Sequence, residues 1–445
     1  MSRIVSRFFV RISRTVAAAE LLILILISPA LLFPTPARML VLLVVPVVWV
    51  CARHIDGHLI PPTPLNGALL LLLVMVGVSL LVTFDVRFSL GKVAGVVLGA
   101  LMFWAISRWV TTPWRLSAAT MAFLLCGGAL AVIGLLGTNW FNKFPVLSAV
   151  INRLPKIIRG LPGAESGFQP NGVAGCLVLF APLQVALLAG AGRRAFAALH
   201  RGTRATSALV AVQWLLLALT AGTLLLTQSR GAWVGCAIAA AAFLGWYGWR
   251  TRALLLAAVV AGVASAEVVG PQQLLNAAIS QSGPGLAGNV SGRVELWSRA
   301  LYGIADFPFT GMGMNVFRRV MPVLYPTFLT SPDSDVAHAH NQLLQAALDI
   351  GIPGLIAYLA MWLICAALLV QVYRRSPDPV YRTMAGGLGA GLIAQFSFGM
   401  TDAISLGSKP GVLFWFMLAL IVSLHRIALP AKTHYSEKPA CAASS

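Results

Sequence analysis

Apolar residues run along this chain in long uninterrupted stretches, separated by short polar clusters. Twelve stretches are candidates for membrane-crossing helices: 16–33, 38–53, 66–83, 92–110, 116–138, 171–191, 207–227, 231–248, 253–270, 352–373, 383–401 and 411–427. At 1.5 Å rise per residue, such lengths suit a hydrocarbon layer of about 30 Å. The ten-residue alternation of an outer-membrane barrel is missing. The pattern predicts an all-α, polytopic helical bundle of about 12 transmembrane helices. The first apolar run is long and lacks a clear small-residue cleavage site, so it reads as a retained anchor.

Two polar stretches interrupt the bundle, 139–170 and 271–340. They divide the chain into an N-terminal bundle (1–270, with loop 139–170), a large loop (271–340), C-terminal helices (341–428) and a disordered tail (429–445). Within the large loop, Val294, Trp297, Leu301 and Ile304 recur at helical spacing, which predicts an amphipathic helix capped by Ser291. "DFPFTGMGMN" then turns the chain, and "VFRRVMPVLYP" adds a second short amphipathic piece. Asn341 is placed to cap the helix that follows "HAHN".

Composition agrees with the pattern: 58% of residues are hydrophobic and 10% are charged. Charge orients the bundle. With both termini in the cytoplasm, the inside segments hold the larger share of the 32 Lys and Arg residues, as short cytoplasmic loops should. The large loop then faces the periplasm of an inner-membrane protein. Glu20 and Glu267 are the only acids expected inside spans. The six cysteines lie in spans or cytoplasmic segments, and no structural disulfide is expected. No nucleotide-binding motif is visible, and no nucleic-acid partner is expected.

The basic residues left outside suggest a site for an anionic ligand. Arg230 sits alone in a tight turn between two apolar spans, where an arginine is costly unless it snorkels or meets an anion. Arg153, Lys156 and Arg159 precede the "PNGV" turn containing Asn171, and basic groups beside a helix start suit phosphate. Arg293 and Arg299 lie on the amphipathic helix. The densest polar cluster is "SPDSDVAHAHN", with His338 and His340 just ahead of a helix N-terminus. That position disfavours imidazolium and keeps a histidine neutral, as a general base requires. One histidine could instead serve the loop backbone. A metal site built from Asp333, Asp335, His338 and His340 is the weaker alternative, since the segment offers no rigid scaffold.

"QSRGAWVG", "GRVELWSRALYGIADFPFTGMGMNVF" and "HAHNQLLQAALDIGIPGLIAYL" together resemble the O-antigen ligase, O-antigen polymerase and protein O-oligosaccharyltransferase superfamily over roughly residues 220–375, and "QPNGVAG" also fits. The resemblance implies a GT-C-like fold and a metal-independent, inverting glycosyltransferase without cofactors. The donor it implies is a glycan on undecaprenyl pyrophosphate at the periplasmic face. Arg230 and Arg293, with Arg159 in support, would neutralise the pyrophosphate. Lys156, Arg153, Arg299, Asn171 and Asn341 would line the substrate site. His338 or His340 would take the acceptor's proton. The preference falls on His338, because His340 abuts the capping Asn341. The expected acceptor is lipid A–core, in lipopolysaccharide biosynthesis, with membrane lipids as surroundings. A second lipid-linked repeat (a polymerase) or a protein hydroxyl ranks lower. A lipid or glycan transporter is the non-enzymatic alternative, against which the polar residues gather at one face rather than at mid-membrane.

Overall fold

Capping side chains mark several helix starts, with proline in the first turn of some. α1 (Ser2–Ala18) and α2 (Glu20–Leu32) meet at a bend of 56°. A 3-10 turn at Arg38–Leu43 leads into α3 (Val44–Asp56), followed by α4 (Asn66–Val82) and α5 (Val86–Trp109). The Asp85 carboxylate caps α5 by accepting from the Arg87 amide at 2.8 Å. α6 (Pro113–Gly137) has Thr112 as cap and Pro113 in its first turn. Next come α7 (Pro145–Ile151), α8 (Pro170–Leu177), α9 (Ala181–Leu199), α10 (Arg204–Leu226), α11 (Arg230–Tyr247), α12 (Val290–Asp306) and α13 (Phe317–Leu324). α14 (Gln342–Arg375), α15 (Pro379–Gly399) and α16 (Val412–Ala428) are the last of the described helices. Asp378 caps α15 at 2.7 Å from the Val380 amide.

This computed structural model describes residues 2–161, 163–199, 204–254, 256, 257, 260, 290–329 and 335–430. Predicted span 253–270 lies largely outside them, as do Glu267, the loop start 271–289, Asp333, Cys441 and the tail after 430. The described residues are all-helical apart from isolated β-bridges. Among the described residues, seven helices are long and apolar enough to cross a membrane, or up to 8 if the bent α1–α2 pair is one span. Asn66–Val82 and Arg230–Gly245 are apolar but shorter.

The core lies where α14 packs on α4, α15 and α16, and α16 packs on α5 and α6. Phe103, Trp104, Phe123, Phe180 and Trp415 are among its largest fully buried side chains. The predicted apolar stripe on α12 is corrected by the structure. Leu296, Ala300 and Gly303 face inward, whereas Val294 and Leu301 are exposed. Ser291 is not the cap either, because the helix already includes Val290. The inward face takes small residues because α12 lies close on α14, where a Cβ at Gly303 would stand 2.9 Å from the Leu348 side chain.

α14 is broken at Gly351, whose backbone is left-handed (φ 70). In an unbroken helix the Ile352 amide would donate to Leu348 O. Here Ile352 donates to Pro308 O at 2.7 Å, and Leu348 O accepts instead from the Met312 amide at 2.7 Å. Loop 307–312 is thereby stitched into the break. Any side chain at Gly351 would strike Phe309 O, at 2.3 Å from the Cβ position. The break separates a first segment, 342–350, from the long apolar segment after it. Tyr358 Oη reaches back across it to Gln342 Oε1 at 3.1 Å.

Asp349, fully buried in that first segment, overturns the expectation that Glu20 and Glu267 are the only acids within spans. Its Oδ1 accepts from Gln345 Nε2 at 2.8 Å and from the Asn315 amide at 3.3 Å. Its Oδ2 lies 3.6 Å from Lys92 Nζ of α5, a lysine 13% exposed. A buried charge without its partner is strongly unfavourable, while replacing both partners by apolar groups is often neutral. Asp349→Ala is therefore expected to cost roughly 3–5 kcal/mol of stability. The double variant Lys92→Met/Asp349→Leu should recover most of that in thermal melts of the purified protein. Equal losses in both would show that the pair is not what Asp349 contributes.

Candidate active site

His338 and His340 precede α14 in a loop whose backbone groups are met by side chains. Asn341 Oδ1 accepts from the Leu343 and Leu344 amides at 2.9 and 3.2 Å, the expected cap, and its Nδ2 donates to Met400 O at 3.3 Å. The Ala339 amide donates to Gln345 Oε1 at 2.9 Å, so the Lys92–Asp349–Gln345 chain ends at the loop between the histidines. His340 has a left-handed backbone (φ 50), uncommon for a residue with a side chain and a form of strain that clusters at functional sites.

Both imidazoles meet Asp402, in the turn after α15. His340 Nδ1 is 3.2 Å from Asp402 Oδ1, and His338 Nε2 is 3.7 Å from the same oxygen. The two rings pack edge to face with centroids 4.5 Å apart. Asp402 Oδ2 accepts from Asn171 Nδ2, in the first turn of α8, at 2.9 Å. Burial alone would raise the Asp402 carboxyl. The His340 hydrogen bond and the charges of His338, His340 and Arg293 outweigh it and hold the group well below the usual carboxylate range.

The hydrogen bonds assign the tautomers. His338 Nδ1 accepts the His340 backbone N–H at 3.1 Å, so its proton belongs on Nε2, facing Asp402. His340 points Nδ1 at the carboxylate, so its proton belongs there. In the neutral ring this leaves His340 Nε2 as the lone pair, with no hydrogen-bond partner among the described residues. Burial, against the pull of Asp402 and with the help of His340, Lys92 and Arg293, pushes His338 down to about 4. At neutral pH it is an uncharged neighbour.

Cations surround this group. Arg293, on α12, interacts with Asp402 and Arg230, and its buried Nε has no hydrogen-bond partner. Burial and the neighbouring Arg230 lower its pKa, while Asp402 raises it. Arg230 is exposed at the first turn of α11. Arg153, Lys156 and Arg159 are also exposed, and no described hydrogen bond or ion pair ties them to the cluster. The Ile157 and Ile158 amides both donate to Leu136 O, which puts Lys156 and Arg159 on the segment beside the end of α6. Arg299 is engaged within its own region. Its Nε donates to Pro326 O at 2.8 Å, and the guanidinium lies over Phe328 and near Glu295.

Sequence reading did not single out Asp402. An acid immediately after a predicted span that ends at 401 was the available signal, but its histidine partners lie about sixty residues away. By donor type, His338, His340 and Asp402 could hold a metal ion, with ligand atoms within 4.8 Å of one another. The arginines and Lys92 around them oppose a divalent cation. Asp335, the other acid proposed for a metal, is paired with Arg318, which holds its carboxyl below the usual range. An apolar cleft of about 200 Å³, lined by Phe243, Leu369, Tyr373, Gly389 and Ile393, lies along the other half of α15 from Asp402.

No curated protein matches the chain. Residues 215–359 match a family model described as O-antigen ligase, a stretch that carries Arg230, Arg293, both histidines and the Gly351 break. That stretch is similar to O-antigen ligases and supports membership of their superfamily, with a ligase- or polymerase-type domain in a chain whose described helices include ones long and apolar enough to cross a membrane.

Proposed function

We propose that the protein is an inner-membrane glycosyltransferase that moves a glycan from undecaprenyl pyrophosphate to a sugar hydroxyl of lipid A–core, at the periplasmic face. The observation that carries this reading is the His340–Asp402 pair, with Arg293 acting on the same carboxylate and Arg230 next to Arg293. A base fixed by a buried carboxylate and cations free to meet an anion are what a displacement with a diphosphate leaving group requires. The family match supports lipid-linked glycans as the substrate class.

In this mechanism the acceptor hydroxyl gives its proton to His340 Nε2 as its oxygen attacks the anomeric carbon. The bond from that carbon to the pyrophosphate oxygen breaks in the same displacement and configuration inverts. The new phosphate charge is met by Arg293 and Arg230, with Arg159, Lys156 and Arg153 on the neighbouring loop for outer phosphate or glycan groups. Asp402 holds the imidazole in the productive tautomer and stabilises the imidazolium that forms. His340 takes the role of base over His338, whose Nδ1 is occupied by a backbone amide. Asn171 and Asn341 then act on the site through Asp402 and the helix start.

Two outcomes test the reading. Purified protein given lipid-linked O-antigen should form the ligated product with lipid A–core, at an unchanged rate in EDTA. Elongation of lipid-linked repeats in its place would make it a polymerase, and loss of turnover on chelation restored by Mn²⁺ or Zn²⁺ would assign the histidines and Asp402 to a metal. For orientation, a single cysteine at Val146, which is 90% exposed, should react with an impermeant maleimide in intact spheroplasts. Reaction only after permeabilisation would place the site in the cytoplasm and remove the donor proposed here.

A further inference from the structure

Gln228 sits in the "TQSR" turn with a left-handed backbone (φ 52) and is 1% exposed. Its side chain spends all its bonds on one distant loop. Oε1 accepts from the Lys143 and Phe144 amides at 2.8 and 2.6 Å, and Nε2 donates to Phe141 O at 3.0 Å. Phe144 stacks on Trp233 of α11 at 5.5 Å. A buried amide satisfied at both ends by one loop is a clamp, and it fixes the backbone of Lys143 beside the first turn of α11. The Lys143 ammonium itself is loosely held: its contacts are Gln228 O at 3.5 Å and the Phe141 ring at 4.9 Å. Neither neutralises it. Its charged neighbours are Arg230, Arg293 and Asp402.

Lys143 and Arg293 therefore share one carboxylate that already serves two histidines and Asn171, and Arg230 adds its charge to both cations. Burial first, then Arg230 and Arg293, lower the Lys143 pKa, the mark of positive charges held together without enough counter-charge. An anion with two adjacent negative groups resolves that repulsion better than a single phosphate.

We propose that Lys143 is a third cationic ligand for the diphosphate of the lipid-linked donor, and that Gln228 is the positioning residue that delivers it. This rests on the donor class of the proposed function. Lys143 reaches the leaving group from the loop after α6, alongside Arg230 at the start of α11.

The test uses full-length protein in nanodiscs and measures binding of undecaprenyl pyrophosphate, with thermal melts to verify folding. Lys143→Met should weaken binding about ten- to a hundredfold, the usual worth of a charge-assisted hydrogen bond. It should raise the donor KM and leave the acceptor KM unchanged. Lys143→Arg should restore most of the affinity. Gln228→Leu should weaken donor binding although it removes no charge. Inorganic pyrophosphate should compete with the donor in the wild type and less well in Lys143→Met. Vesicles of phosphatidylglycerol supply the contrasting arm. If Lys143→Met weakens attachment to them as much as it weakens donor binding, the lysine is a headgroup contact and the proposal fails. If wild type and Lys143→Met bind the donor equally, this inference alone falls. If the wild type does not bind it at all, the proposed function falls with it.

Discussion

The site depends on one buried carboxylate. Asp402 receives His340 from the loop before α14, Asn171 from α8 and the influence of Arg293 from α12. A charge taken out of water is tolerated only when it is paired and hydrogen-bonded. Asp402 thus forces four separate pieces of chain to meet at one end of the bundle. The same pairing selects the histidine tautomers, so the constraint that assembles the site also equips it for proton transfer.

A second buried acid supports the first from below. Asp349 binds Gln345, whose oxygen holds the Ala339 amide, and Lys92 stands behind it. The break at Gly351 lets loop 307–312 dock on α14, which brings Asn315 to the same carboxylate. Backbone strain collects at the functional end: among the described residues, His340, Gln228 and Asn315 are the non-glycine ones with positive φ. Each is held by hydrogen bonds across elements, which is how a strained conformation persists.

Much of this was legible in the chain. Apolar runs located most of the described helices, and the Asn341 cap follows from residue type alone. Arg230, Arg293 and the histidines stood out because charge is rare here. Asp402, Lys143, Lys92 and Asp349 did not, since each acquires meaning only from a partner far away in sequence. The α12 face was misread for a related reason. Helical periodicity finds an apolar stripe, but in a chain of this composition the outward face is apolar too, so small residues rather than large ones mark the packed side. Arg299 looked like Arg293 in sequence, yet one turn and a half along the helix it meets a carbonyl and an aromatic ring instead of the site.

The central claim is that His340, held by Asp402, is the base and His338 is its neutral neighbour. Single-turnover transfer with preformed donor complex compares the two directly. His340→Ala should lose about two to four orders of magnitude in rate, the usual worth of positioned proton transfer, while donor affinity is kept. His338→Ala should stay within about tenfold of wild type, as expected for a group outside the proton transfer itself. A collapse in His338→Ala with His340→Ala still active would contradict the account.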